Sequence, residues 1–197
     1  KRLQEHLSSL QVDYIHINSR GDNRDPSYSV THHWHADIPA SCRQLLEVSK
    51  DSTPSLLLEK FKKANDSANA VIQKYIETSV EFTESFVAKE VESLCPSGYN
   101  LFIGNSMPVR DMDLVTATCS ADRIQVNRGV SGIDGNIATA AGIIWASGKP
   151  GLAVIGDTTA LHDMNSLAIV QRIGMPLVLV IINNHGGGIF SFLPVAQ

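Results

Sequence analysis

The apolar positions change rhythm near residue 95. Ahead of it they recur at helical spacing. Leu57, Phe61, Ala64, Ala68, Val71 and Tyr75 stand at i, i+4, i+7 intervals, which predicts a long helix from about residue 54 with those side chains on its buried face. A shorter helix is expected over residues 39–48 with Asp37 as its cap. Another is expected over 79–94, carrying Phe82, Phe86 and Val87 and closed by the turn CPSGYN. Beyond residue 95 the apolar runs are short, at 100–103, 123–126, 152–155 and 176–182, and each ends in a polar or glycine-rich loop. Helical stretches at 136–147 and 161–173 separate them. That alternation predicts an α/β fold, a parallel sheet flanked by helices on both faces.

The first residues read differently. Two short strands are expected at 12–17 and 30–35, joined by the polar loop SRGDNRDPS. Two strands and a loop cannot bury a core alone. Residues 1–37 are therefore read as the C-terminal end of a preceding central α/β domain. Residues 38–197 are read as a second domain, truncated at its C-terminus. The opening KRLQEHLSSL has no signal-peptide core and enters a structured region, so the chain reads as a fragment of a longer protein.

Composition narrows the function classes. At 197 residues and 43% hydrophobic content the chain can bury one full core. A formal charge of −4 without a basic stripe argues against nucleic acid, which requires clustered Lys and Arg. No apolar run approaches the roughly 20 residues of a membrane span. Cys42, Cys95 and Cys119 are widely spaced and fit neither a disulfide framework nor a zinc site, which suits a reducing compartment. Small-molecule chemistry remains.

In an open parallel sheet, ligands collect beyond the carboxyl ends of the strands. Four loops there carry chemistry: GNSMPVRD at 104–111, NRGVSGIDG at 127–135, GDTTALHDMN at 156–165 and NNHGGGIF at 183–190. The last two form one βαβ step, with Asp157 and Asn184 separated by 27 residues. A right-handed crossover brings both strands into one sheet, so a carboxylate and an amide oxygen can reach one ion. Mg²⁺ favours hard oxygen ligands and commonly takes one or two carboxylates beside water and phosphate oxygens. The HGGG run after Asn184 allows close backbone approach, and Gly156 leaves room for an anion at the following helix.

A GD dipeptide followed at this distance by NN resembles the diphosphate-binding motif of thiamine diphosphate (ThDP) enzymes. Together with NSMPVRD, NRGVSGIDG and GGGIFSFLP it closely resembles the MenD family, the 2-succinyl-5-enolpyruvyl-6-hydroxy-3-cyclohexene-1-carboxylate (SEPHCHC) synthases. The match is strong over residues 100–197 and weaker before. The resemblance implies a ThDP diphosphate-binding domain, with Mg²⁺ (or Mn²⁺) on Asp157, Asn184 and the carbonyl of Gly186. Gly156, Thr158 and Gly187 would lie at the cofactor, and Ile133 would support its bent form. Thr158 stands where many members carry a small residue, and it is read as touching no ligand. Ser106, Arg110 and Arg128 would bind the substrate carboxylates, the two arginines facing one cleft, since guanidinium groups hold carboxylates in bidentate geometry. Ile189, Phe190 and Leu193 would line an apolar wall that excludes water.

The reaction so implied is decarboxylation of 2-oxoglutarate and conjugate addition to isochorismate in menaquinone or phylloquinone biosynthesis. Such an enzyme would be a homo-oligomer, dimer or tetramer, in a bacterial cytoplasm or plastid stroma. The family's activating Glu lies in an N-terminal domain of a partner subunit, so this piece alone is expected to be inactive. Two alternatives stay open: another ThDP 2-oxoacid carboligase of the acetohydroxyacid-synthase kind, and a non-catalytic truncated ThDP-fold module.

Several tempting features carry less. On a strand, His33 and His35 face one side and His32 the other, which speaks against a metal cluster. The RGD tripeptide at 20–22 and the acceptor-like Asn65 have no supporting context. His162 and Asp163 point apart as helix neighbours and are expected to fix the first turn after the diphosphate.

Overall fold

The computed structural model describes residues 2–22, 25–49, 55–116 and 119–192. Contacts divide the chain into two compact units, Lys1–Phe61 and Lys62–Gln197.

The first unit contains α1 (Arg2–Ser9), β1 (Ile15–Asn18), β2 (His32–His35) and α2 (Ile38–Val48). The strands pair in parallel, Ile15 opposite His32 and Asn18 opposite His35. Parallel neighbours need a crossover rather than a tight hairpin, and the polar loop supplies it. Asp25 organises that loop by accepting the Val30 N–H at 2.8 Å and the Ser27 hydroxyl at 3.1 Å. The Val30 bond, foremost, holds the Asp25 carboxyl below the usual range. Asp37 caps α2 as expected, accepting the Ala40 N–H at 2.8 Å. Helix α2 packs on β1 and falls in the first unit. Helix α1 is absent from the expected elements, although Leu3, Leu7 and Leu10 stand at i, i+4, i+7 spacing. The three histidines of β2 have separate surroundings. His32 meets the Thr31 hydroxyl, His35 the Ser19 carbonyl, and His33 the ring of His16.

Helix α3 (Leu56–Thr78) crosses the division in sequence. After it come α4 (Glu84–Leu94), β3 (Asn100–Ile103), α5 (Met107–Val115), β4 (Arg123–Val126), α6 (Asn136–Ser147) and β5 (Gly151–Gly156). Then follow α7 (Asp157–His162), a 3-10 turn at Met164–Ser166, α8 (Leu167–Val170), β6 (Leu177–Ile182) and a 3-10 turn at Gly188–Phe192. The four strands form one parallel sheet in the order β4-β3-β5-β6.

Strand alternation sends successive side chains to opposite faces, and both faces are covered. Leu101, Ile103 and Val154 pack with Ala88 and Val91 of α4 and Met112 and Val115 of α5. On the other face Phe102, Ala153 and Ile155 pack with Ile137 and Ala140 of α6. Helix α6 lies so close to β5 that a Cβ on Gly151 would sit 2.6 Å from the Ile144 side chain. The expected parallel sheet flanked by helices is what the chain forms.

Four details differ from the sequence reading. The expected apolar face of α3 is exposed at Leu57, Phe61, Val71 and Tyr75, and Ile76 is the buried residue with Ile72 beside it. That is one residue, or about 100° of helix, from the Val71 and Tyr75 stripe. Helix α4 begins at Glu84 instead of 79, because the Thr83 hydroxyl caps it by accepting the Phe86 N–H at 3.1 Å. The stretch expected as a loop at 104–111 contains the start of α5, with Pro108 in its first turn and Met112 and Val115 buried. The helix expected over 161–173 is broken around Asp163, whose carboxylate is engaged elsewhere.

Candidate active site

The parallel register of β5 and β6 sets Gly156 opposite Ile182, so Asp157 and Asn184 leave the same sheet edge side by side. A cavity of about 340 Å³ opens there. Its lining brings together Ser106, Ile133, Gly156, Asp157, Thr158, Asn184, Gly187, Ile189 and Phe190, all singled out from the sequence. Leu193 lies outside the described residues.

Asp157 is the hub. Its Oδ1 accepts the Thr158 N–H at 2.7 Å and the Thr158 hydroxyl at 3.3 Å, and its Oδ2 accepts the Gly186 N–H at 2.8 Å. Thr158 thereby holds the Asp157 carboxylate directly. Gly186 takes φ +78°, a left-handed conformation open to glycine, which turns its N–H back onto Asp157. Each carboxylate oxygen has two lone pairs, so these bonds leave Asp157 able to bind a cation.

Asn184 donates from Nδ2 to Glu84 Oε1 at 2.9 Å, and its Oδ1 takes no hydrogen bond among the described residues. Asn184 can adopt this pose because residue 188 is glycine; a Cβ there would lie 2.6 Å from Nδ2. The donor set of one carboxylate and one free amide oxygen suits a hard divalent cation that completes its shell with phosphate and water oxygens. Gly156 presents open space where a Cβ would be, room for an anionic group against the backbone. Among the described residues, no group of three His, Cys, Asp or Glu side chains forms a self-sufficient metal cage. The residues fit a metal–diphosphate pair.

The substrate-side residues are more dispersed. Ser106 adopts φ +73°, ψ −130°, a strained conformation for a residue with a side chain. Its carbonyl accepts Arg110 Nη1 at 2.5 Å, so the guanidinium folds back over the first turn of α5. Arg110 lines a neighbouring cleft of about 850 Å³ with Asp111 and Asp113. Arg128 lines a third hollow with Gly129 and Asp134, and its Nη1 reaches Asn105 Oδ1 at 3.4 Å. The two arginines, expected to face one cleft, line separate cavities. Ile189 borders both the Asp157 cavity and the Arg110 cleft, and Gly132 borders both the Asp157 cavity and the Arg128 hollow.

No protein-family model matches the chain. Curated relatives do. The SEPHCHC synthase of Chlorobium phaeobacteroides is 41% identical over 186 residues, 93% of this chain and 32% of the relative. That of Shewanella sediminis is 42% identical over 197 residues, 99% of this chain and 34% of the relative. That of Bacillus pumilus is 36% identical over 198 residues, 100% of this chain and 33% of the relative. The chain belongs to the SEPHCHC synthase family. It spans about one third of the length of the curated relatives it matches.

Within this SEPHCHC synthase family chain, the structure also reveals contacts that the sequence does not announce. Asn105 is buried and ties two loops together, its Nδ2 donating to the Gly132 carbonyl at 3.0 Å while Oδ1 meets Arg128. Asp163 clamps the start of α6, accepting the Ile137 N–H at 2.6 Å and the Ala138 N–H at 3.1 Å, with the Ser166 hydroxyl at 2.6 Å. Its expected role, fixing the first turn after the diphosphate, is corrected to capping α6. His162 reaches back to Asp134 at 2.6 Å.

Glu84 and Asp111 are the other pair. Burial and the adjacent Glu84 carboxyl push Asp111 up to about 6. The Glu84 Oε2 and Asp111 Oδ2 atoms are buried and take no hydrogen bond among the described residues. No local pattern announces such a contact, since Glu84 and Asn184 are 100 residues apart.

Proposed function

We propose that the chain is the diphosphate- and metal-binding part of a ThDP-dependent SEPHCHC synthase, which decarboxylates 2-oxoglutarate and adds the remaining unit to isochorismate. The observation that carries the reading is the convergence of Asp157 and Asn184 beyond β5 and β6 in one cavity with Ile133, with the Gly186 N–H donating to Asp157 beside it. On this reading Asp157, the Asn184 amide oxygen and the Gly186 carbonyl hold Mg²⁺ or Mn²⁺. Gly156, Thr158 and Gly187 border the diphosphate, and Ile133 props the cofactor. When bound, ThDP supplies the nucleophilic carbon and the electron sink.

The remaining residues bind and shield. Ser106, Arg110 and Arg128 hold substrate carboxylates, the guanidinium groups by paired charge-assisted bonds. Ile189 and Phe190, with Leu193, keep water from the reacting centre. Residues 1–37 are assigned to the end of a central domain and 38–197 to the cofactor domain. A homo-oligomer would bring an activating Glu from a partner subunit, so the piece alone would bind cofactor without turning over. The test is Arg128→Ala in the full-length protein. A loss mainly in isochorismate use is expected, and unchanged kinetics for both acids would overturn the substrate assignment. Among the described residues, no helix is long and apolar enough to cross a membrane.

A further inference from the structure

An asparagine can ligate a metal only through its oxygen, yet its two ends have nearly the same shape. Something must decide which end faces the ion. At Asn184 the structure supplies that decision from a different element. Glu84 opens α4 immediately after its cap Thr83. A carboxylate oxygen accepts hydrogen bonds. Glu84 Oε1 takes the Asn184 Nδ2 donor at 2.9 Å, and the amide oxygen is thereby left for the cavity that holds Asp157. Gly188 closes the arrangement, because any Cβ at that position would push Nδ2 away from Glu84.

We propose that Glu84 is a positioning residue for the cation, fixing the amide of Asn184 with its oxygen toward the metal. This rests on the metal site proposed above and deepens it. Glu84 itself touches no metal; it acts through Asn184, as outer partners of metal ligands commonly do.

The experiment is Mn²⁺ titration in the presence of ThDP, read as free Mn²⁺ by electron paramagnetic resonance, on the full chain. Glu84→Ala is expected to weaken Mn²⁺ binding by about 10- to 100-fold, the usual range for an outer partner. Glu84→Gln is expected to stay within about threefold of wild type, since its amide oxygen can accept from Asn184 while its NH₂ faces Asp111. On an Asn184→Asp background, where neither end of the ligand is wrong, Glu84→Ala is expected to lose its effect. Should Glu84→Ala fail to fold by circular dichroism, Glu84→Met, of similar size and without an acceptor, is read by the same criterion.

Wild-type affinity in Glu84→Ala, or an equal loss on the Asn184→Asp background, overturns the positioning role. Wild-type affinity in Asp157→Ala would overturn the metal site itself. The two failures are therefore distinguishable.

Discussion

The loops after β5 and β6 and the loops after β3 and β4 leave the same edge of one sheet, yet they are finished to different degrees. The first pair is locked by its own hydrogen bonds: Asp157 to Thr158 and Gly186, and Asn184 to Glu84. The second pair carries its two guanidinium groups apart, Arg110 resting on the Ser106 carbonyl and Arg128 on Asn105 through a long contact. A metal–diphosphate site needs a few oxygens at fixed positions, and strand ends supply fixed positions. Carboxylate recognition by arginine relies on long side chains whose direction the strand end does not set. On the proposed function, the first pair is a preformed cofactor half and the second an acid-binding half drawn together by what binds it.

The largest effect should come from the hub of the first region. Asp157→Ala is expected to weaken Mg²⁺-dependent ThDP binding by about 100-fold or more, measured by calorimetry, while the thermal midpoint hardly moves. A large fall in the midpoint would mean that Asp157 holds the fold rather than the cofactor.

Asp163 joins the two regions, running from the segment after α7 to the start of α6. Asp163→Ala should cost about 2 kcal/mol in denaturant unfolding, since it uncaps two N–H groups and frees Ser166. A loss below about 0.5 kcal/mol would show that α6 needs no such clamp.

The arginines test whether the second region works as two separate sites. Arg110→Ala and Arg128→Ala in the full-length protein should each raise a substrate KM by about tenfold. Their coupling in a double-mutant cycle should stay below about 0.5 kcal/mol if each guanidinium serves its own carboxylate. Coupling above about 1 kcal/mol would mean that they close on one acid group together.

Asp111 gives the smallest effect and a pH signature. Its folded value of about 6 lies above the usual 3.8, so the fold favours the protonated form. That stabilisation is complete below about 3.8 and is lost as pH rises through about 6. Asp111→Asn, neutral throughout, should therefore gain on wild type as pH rises from 5 to 8, reaching about 1 kcal/mol once solvent screening is allowed for. Thermal melts across that range check it, and a pH-independent difference would contradict the raised Asp111 value.

Much of the sheet was legible in the sequence because its strands are short apolar runs, the central β3 and β5 being buried on both faces. The runs at 100–103 and 123–126 and the helix at 136–147 match their elements, and β5 and β6 differ by a residue at their ends. Asp157 and Asn184 were legible for the same reason, since strand ends in a parallel sheet mark the ligand side. What escaped was whatever depends on contacts distant in sequence. Glu84 looks like an ordinary first-turn acid until α4 packs beside β6. Asp163 looks like part of a helix until α6 presents its unpaired N–H groups. The buried face of α3 escaped because Val71 and Tyr75 are as apolar as Ile72 and Ile76, so periodicity alone does not choose between stripes one residue apart.

Asp157 and Asn184 are proposed to hold one divalent cation against a diphosphate. The most direct test is a crystal of the protein soaked with Mn²⁺ and ThDP, with anomalous scattering used to locate the metal. The account predicts one peak bonded to Asp157 and to Asn184 Oδ1 at about 2.0 to 2.3 Å, beside the cofactor phosphates. Cofactor density with the metal peak elsewhere, or with Asn184 turned nitrogen-first toward it, would contradict the account.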